Sequence, residues 1–377
     1  MKITNAEVLL TRVPTRRPHR MSFATTTQQE CVYLRLHTDE GLVGLGEAPH
    51  MAGYSSAGET QLSVALQLRE RLLPAIMGKD PLQIEQRQLD LERAVPWNPR
   101  AKSAVNIALY DLAGKALNTP VYNLLGGLVR EQIPLSWSIP IIDIETAVAE
   151  AQEMVEMGFR ILKMKTGHEN PDEDIARFQA VRSAVGDEVR MRADANQAWD
   201  VPTAIRVIRA LEPFGIEFME QPTKASDLDG LAEVRSATNT YIMADESANS
   251  PLDVLNLARR RAVDLISIYI NNPGGILNAK KMAIVAEPAG IGCYVGGALE
   301  GPIGARACLH FAASTPNLTW GCEMGGQFLL EADLGAETIV FENGALLVPH
   351  GPGLGGDLDL DRVADYKVDQ FEVHPDA

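Results

Sequence analysis

Beyond about residue 128 the chain alternates short apolar or β-branched runs with amphipathic stretches of helical period. Eight runs read as strands: IPLSWSI (133–139), FRILKMK (159–165), EVRMRAD (188–194), IEFME (216–220), TYIMAD (240–245), DLISIYI (264–270), GCYVGG (292–297) and LTWGCE (318–323). A helix-like segment separates most neighbours, which predicts an α/β protein with a (β/α)8 barrel over residues 129–333. Upstream, strands ITNAEVLLTRV (3–13), CVYLRLHT (31–38) and LVGLGEA (42–48) precede helices over 60–76 and 103–117, an α+β unit spanning residues 1–128. The tail, 334–377, is rich in Gly, Pro and Asp and is expected to return to that unit, so that both chain ends build a capping domain.

In such a barrel the chemistry collects at the C-terminal ends of the strands. Those ends carry Lys163 and Lys165, Asp194, Glu220, Asp245, Tyr269, the pair Gly296 and Gly297, and Glu323. From Lys165 onward the separations are 29, 26, 25, 24, 27 and 27 residues, one βα unit each, so these residues occupy one ring. Asp194, Glu220 and Asp245 converge from three consecutive strands, each in an apolar context where an unpaired carboxylate is costly to bury. Helix capping or pairing with arginine would account for one or two of them. Three in phase call for a cation, and hard oxygen donors without Cys or His select Mg²⁺, with Mn²⁺ as a substitute. Lys163 and Lys165 lie two apart on a strand, both facing the barrel interior while Met164 faces the helices. Two adjacent ammonium groups lower each other's pKa, and an amine tuned toward ~7 to 8 is a competent general base.

Charge and composition narrow the partners. With 34 basic and 50 acidic residues the formal charge is −16, which argues against nucleic acid or a membrane surface and for a small molecule or a metal cation. Four dispersed cysteines without a CxxC pair indicate neither zinc nor a disulfide framework. No signal-peptide core or transmembrane run is evident, so the expected compartment is the cytoplasm. A homo-oligomer is expected.

The segments KMK (163–165), RADANQAW (192–199), MEQP (219–222), ADES (244–247), NPGGI (272–276) and PGLGGDLD (352–359) resemble the enolase superfamily, in its mandelate racemase and muconate-lactonizing-enzyme-like group. The resemblance covers nearly the whole chain. It implies a divalent-metal enzyme that removes the proton α to a carboxylate, the chemistry known for that superfamily. By the same resemblance, Asp194, Glu220 and Asp245 match the metal ligands, Lys165 the acid/base, and Lys163 the helper that lowers its pKa and contacts the substrate carboxylate. Asn196 matches a polar group near the metal, and Glu300 one that orients other groups or the substrate. Specificity is expected from capping loops around Arg17–Phe23 and Met51–Ser56, with Met21, Phe23 and Tyr54 as substrate contacts and Trp137 on the first barrel strand completing the ring.

One departure matters. Most of the group has a second catalytic lysine at the end of strand six; here that position is Tyr269. A phenol of pKa near 10 is a poor exchange for an amine, which disfavours two-base racemisation. The mandelate racemase variant wants a histidine after strand seven, and GCYVGG has none; His168, just past Lys165, reads as a loop residue. One-base chemistry remains: a lyase performing syn dehydration of a small β-hydroxy acid, as in the cis-3-hydroxy-L-proline dehydratases, which give 1-pyrroline-2-carboxylate. Racemisation, epimerisation or cycloisomerisation of an amino-acid derivative is the alternative. Tyr269 would serve as an acid, as a positioning hydrogen bond, or only as packing. A Schiff-base aldolase would leave the three carboxylates unexplained, and a metal-binding scaffold without catalysis has no need of two desolvated lysines.

Overall fold

The structure is a computed structural model describing residues 1–51 and 58–374. Three antiparallel strands open the chain: β1 (Ile3–Arg20), β2 (Thr25–Thr38) and β3 (Val43–Met51), in the order β1-β2-β3. Odd residues of β3 face the barrel and even ones face helix Pro99–Ala116, whose alanines allow very close approach. A Cβ added at Gly46 would sit 1.9 Å from the Ala104 carbonyl oxygen, and one at Gly44 2.4 Å from that of Ala108. Gly46→Ala is therefore expected to destabilise the protein by at least about 1–3 kcal/mol, the usual cost of overpacking, read as a lowered urea midpoint.

The strand expected over 133–139 breaks in two. Gln132–Pro134 (β4) leaves the barrel and joins a small sheet, and only Ser136–Ile139 (β5) is a barrel strand. Parallel neighbours follow: β6 (Ile161–Lys165), β7 (Arg190–Asp194), β8 (Ile216–Glu220), β9 (Tyr241–Ala244), β10 (Leu265–Ser267) and β11 (Gly292–Tyr294), seven strands in sequence order. The eighth, expected over 318–323, contracts to Cys322, which bridges Leu135 on one side and Val295 on the other and so closes the (β/α)8 barrel. Gly321 at φ +82° turns the chain here, and Trp320 leaves the ladder to pack against Tyr241 and Phe218. Intervening helices start where polar residues cap them. Asp143, Asp200 and Ser250 accept from the third residue of their helices, two of which carry Pro in the first turn.

The tail divides. A hairpin of β12 (Phe341–Glu342) and β13 (Ala345–Leu347) pairs with β4, while the last strand, β14 (Lys367–Val373), adds antiparallel to β1 and extends the capping sheet. The cap is pinned to the barrel by Glu47 of β3. Its buried carboxylate accepts from the amides of Gly301 (2.6 Å), Ile303 (3.1 Å) and Gly304 (2.8 Å), the exposed donors at the start of helix Pro302–Ala313. Among the described residues no helix is long and apolar enough to cross a membrane.

Candidate active site

Register brings the strand-end residues together. Lys165 pairs with Asp194 across β6 and β7, Asp194 with Glu220 across β7 and β8, and Asp245 follows β9 directly. Strand alternation sends Leu162 and Met164 into the layer between barrel and helices and turns Lys163 and Lys165 inward. Lys163 Nζ lies 2.6 Å from Glu220 Oε2 and 3.5 Å from Asp194 Oδ2, and it also pairs with Glu323. Lys165 Nζ lies 2.6 Å from Asp194 Oδ2. Tyr269, two residues past β10, directs its hydroxyl to Asp245 Oδ2 at 3.3 Å.

Among the protein's own charges, the electrostatics favour charged lysines. Burial disfavours both ammonium groups, but facing carboxylates outweigh it. Glu220, Glu323 and Asp194 hold the Lys163 pKa well above the usual lysine value, and Asp194 holds that of Lys165 above it although Lys163 lowers it. Burial likewise works against the Asp194 anion, yet Lys165 and Lys163 keep its carboxyl below the ordinary range. Glu220, buried beside Asp194, is pushed up to about 8; burial with Glu246 raises Asp245 well above the carboxylate range. Burial and Asp245 raise the Tyr269 phenol well above 10, so it stays protonated. Five carboxyl groups gather here, buried Asp194, Glu220 and Asp245 and partly buried Glu246 and Glu323, and the two lysines pair with only three of them, Asp194, Glu220 and Glu323.

That excess is what a cation would relieve. Glu220 Oε1, Glu246 Oε2 and Asn196 Oδ1 are buried without a hydrogen-bond partner, an all-oxygen set suited to Mg²⁺ or Mn²⁺. Among the described residues no three carboxylate, imidazole or thiolate groups already stand at ligand spacing. The carboxylates turn to the lysines instead. The donor chemistry fits a divalent cation, and Asp194, Glu220 and Asp245 would hold it.

Above this floor lies a cavity of about 690 Å³ including its mouth, into which Lys165, Asn196, Asp245, Tyr269 and Glu323 project. Met21, Phe23, Met51, Leu299 and Leu329 form its apolar wall. The expected contact Tyr54 lies outside the described residues. Two other expected contacts are corrected. Trp137 faces away from the barrel interior with Leu135 and Ile139, since strand alternation turns Ser136 and Ser138 inward; it packs against Phe159 and Phe328 and donates to Glu150 at 2.7 Å. Ser138 lines the cavity in its place. Glu300 sits behind the loop 297–299, both its oxygens 3.0 Å from the Ala298 amide, so it shapes that loop without lining the cavity. His168 lies apart, in a surface recess beside Glu173 and Asp172.

The sequence reading missed His19, Arg100, Glu246 and Asn272, all of which line the cavity. His19 lies two residues before Met21 in the candidate loop, a spacing that shares a face in extended chain. Arg100 had no local signal, since a helix in the first domain reaches the barrel mouth only in the folded protein.

A closed barrel with an acidic strand-end ring, a lysine pair and a two-ended cap defines a capped (β/α)8-barrel enzyme. Its lineage is explicit: the chain belongs to the mandelate racemase / muconate lactonizing enzyme family of the enolase superfamily. The N-terminal domain of that family matches residues 4–126, and an enolase C-terminal domain-like region matches residues 146–363. The chain is 37% identical to a chloromuconate cycloisomerase of Cupriavidus necator over 97% of its length and 99% of that protein. It superposes on the N-succinyl Arg/Lys racemase of Bacillus cereus with a TM-score of 0.95 at 33% identity, covering 99% and 100% of the two chains. The dipeptide epimerase of Enterococcus faecalis, solved with Mg and the dipeptide L-Leu-L-Tyr, gives 0.90 at 35% identity over 95% and 100%.

Proposed function

We propose that the protein is an Mg²⁺-dependent isomerase that moves a proton at the carbon α to the carboxylate of a small acid, with Lys165 as its one amine base. The relatives' names, a cycloisomerase, a racemase and an epimerase, support this class over the dehydration expected from the sequence. The observation that carries the finer reading is Tyr269. It lines the cavity from the sixth barrel strand while Lys165 does so from the second, and it is a phenol held protonated by burial and Asp245. Racemisation wants a base on each face of the α-carbon; cycloisomerisation asks for one, and so fits best.

The residues divide the work. Lys165, held against Asp194, gives or takes the α-proton. Lys163, fully buried between Glu220 and Glu323, fixes the Glu220 carboxylate below it. Tyr269 donates its O–H on the opposite side. A divalent cation at Asp194, Glu220 and Asp245 supplies positive charge against the negative charge that builds on the substrate carboxylate as the proton leaves.

A second reading is favoured by the same tyrosine. Syn elimination also needs a single face, so cis-3-hydroxy-L-proline would lose its α-proton to Lys165 and its hydroxyl as water, giving 1-pyrroline-2-carboxylate. Proton NMR in D₂O with Mg²⁺, on a chloromuconate, N-succinyl-L-lysine and cis-3-hydroxy-L-proline in turn, separates the two. Lactone formation with deuterium entering one face supports the first reading, loss of water from the hydroxyproline the second, and racemisation of the succinylated amino acid contradicts both. In the same assay Tyr269→Phe is expected to lower turnover about a hundredfold, the low end of what a positioned acid contributes. Unchanged turnover would make Tyr269 a packing residue.

A further inference from the structure

Arg17, in the second half of β1, reaches across the seam between cap and barrel. Its guanidinium donates to the Ser138 carbonyl of β5 at 3.1 Å, pairs with Glu150 of helix Ile144–Glu156, and lies 5.6 Å from the centre of the Trp137 ring. Glu150 Oε1 is fixed in turn by Trp137 Nε1 at 2.7 Å. A second Arg17 nitrogen, Nη1, stands 3.1 Å from His19 Nδ1. An arginine only donates, so Nδ1 must be the lone-pair nitrogen, and the proton of the neutral ring must sit on Nε2. His19 lines the cavity that Lys165 also lines.

We propose that His19 is a substrate-binding residue. It donates a hydrogen bond from Nε2 to an oxygen of the bound acid, and Arg17, Glu150 and Trp137 are positioning residues that fix its tautomer. The inference rests on the cavity being the substrate site. Its surroundings keep the ring neutral: burial, then the Lys165, Arg17 and Lys163 cations, lower its pKa well below the usual value against the single opposing charge of Asp194. A protonated ring would set Nδ1–H against an arginine N–H. The cavity floor offers mainly acceptors, and a substrate oxygen on the cap side needs a donor there. The arrangement also gives Trp137 its role, as a brace behind the cavity wall.

The test reads the tautomer first and turnover second. In protein labelled with ¹⁵N-histidine and loaded with Mg²⁺, at neutral pH, the resonances lost in His19→Gln are those of His19. They are expected to show a protonated pyrrole-type Nε2 and a bare pyridine-type Nδ1, and Arg17→Met is expected to populate the other tautomer in a protein that still melts cooperatively. With whichever acid of the panel above is turned over, His19→Leu should lower kcat/KM about ten- to hundredfold, the worth of one hydrogen bond to a charged oxygen. His19→Gln, whose amide N–H can stand near the Nε2–H position, should recover most of that loss. A wild-type ring protonated on Nδ1, or doubly protonated, overturns the inference, as does His19→Leu turning over at the wild-type rate. If no acid of the panel exchanges its α-proton, the proposed function fails, and the ring-nitrogen spectrum by itself decides the tautomer that this inference requires.

Discussion

Lys165→Met is expected to stop α-proton exchange while leaving the fold in place. Methionine approximates the lysine stem without the amine, and a positioned base contributes about 10²–10⁴ in rate, so kcat should fall by at least that factor. The side chain is 8% exposed and its ammonium is held by Asp194. Removing one partner of a buried ion pair leaves a charge uncompensated, so a lower melting temperature without metal is expected as well. The loss is limited, because Asp194 keeps the Asn196 amide at 2.9 Å and Lys163 at 3.5 Å. Mg²⁺ should recover much of the stability and none of the activity. A Lys165→Met protein that still exchanges the proton would remove the lysine from the chemistry.

Chelation should abolish activity reversibly, and Mg²⁺ should raise the melting temperature of the chelator-treated protein. The site gathers five carboxyl groups, three of them on buried residues, against two ammonium groups, and Glu220 Oε1 and Glu246 Oε2 have no hydrogen-bond partner. A ligand that binds only the folded state at a hundredfold excess over its Kd stabilises it by about 2.7 kcal/mol. Calorimetric melting with EDTA, then with Mg²⁺ or Mn²⁺, measures this apart from turnover. Glu220→Gln keeps the volume but removes a ligand charge, and should lose most of the Mg²⁺-induced shift. A shift that survives in Glu220→Gln would place the cation elsewhere.

How much of this was legible in the sequence follows from which distances are local. The ring of Lys165, Asp194, Glu220 and Asp245 could be read because one βα unit separates neighbours and parallel register converts that period into adjacency, as Lys165 with Asp194 and Asp194 with Glu220 show. Trp137 was misread because the strand's alternation was not applied to it: Leu135, Trp137 and Ile139 share the outward, apolar face. Ser136 and Ser138, of the other parity, face inward, and Ser138 lines the cavity. The mutual effect of the two lysines is visible in KMK, and Lys163 does lower the Lys165 pKa, whereas the carboxylates that outweigh it among the protein's own charges come from other strands. His19 and Arg100 depend on how the cap lies on the barrel, a relation set by contacts such as Glu47 with the amides of Gly301 to Gly304 and by no local pattern.

The central claim is that Lys165 works as the single amine base on one face of the substrate. Deuterium uptake at the α-carbon, followed by NMR in D₂O with Mg²⁺ for the wild type and Lys165→Met, tests it most directly. The account predicts uptake on one face only in the wild type and none in Lys165→Met. Uptake on both faces, or exchange that persists in Lys165→Met, would contradict it.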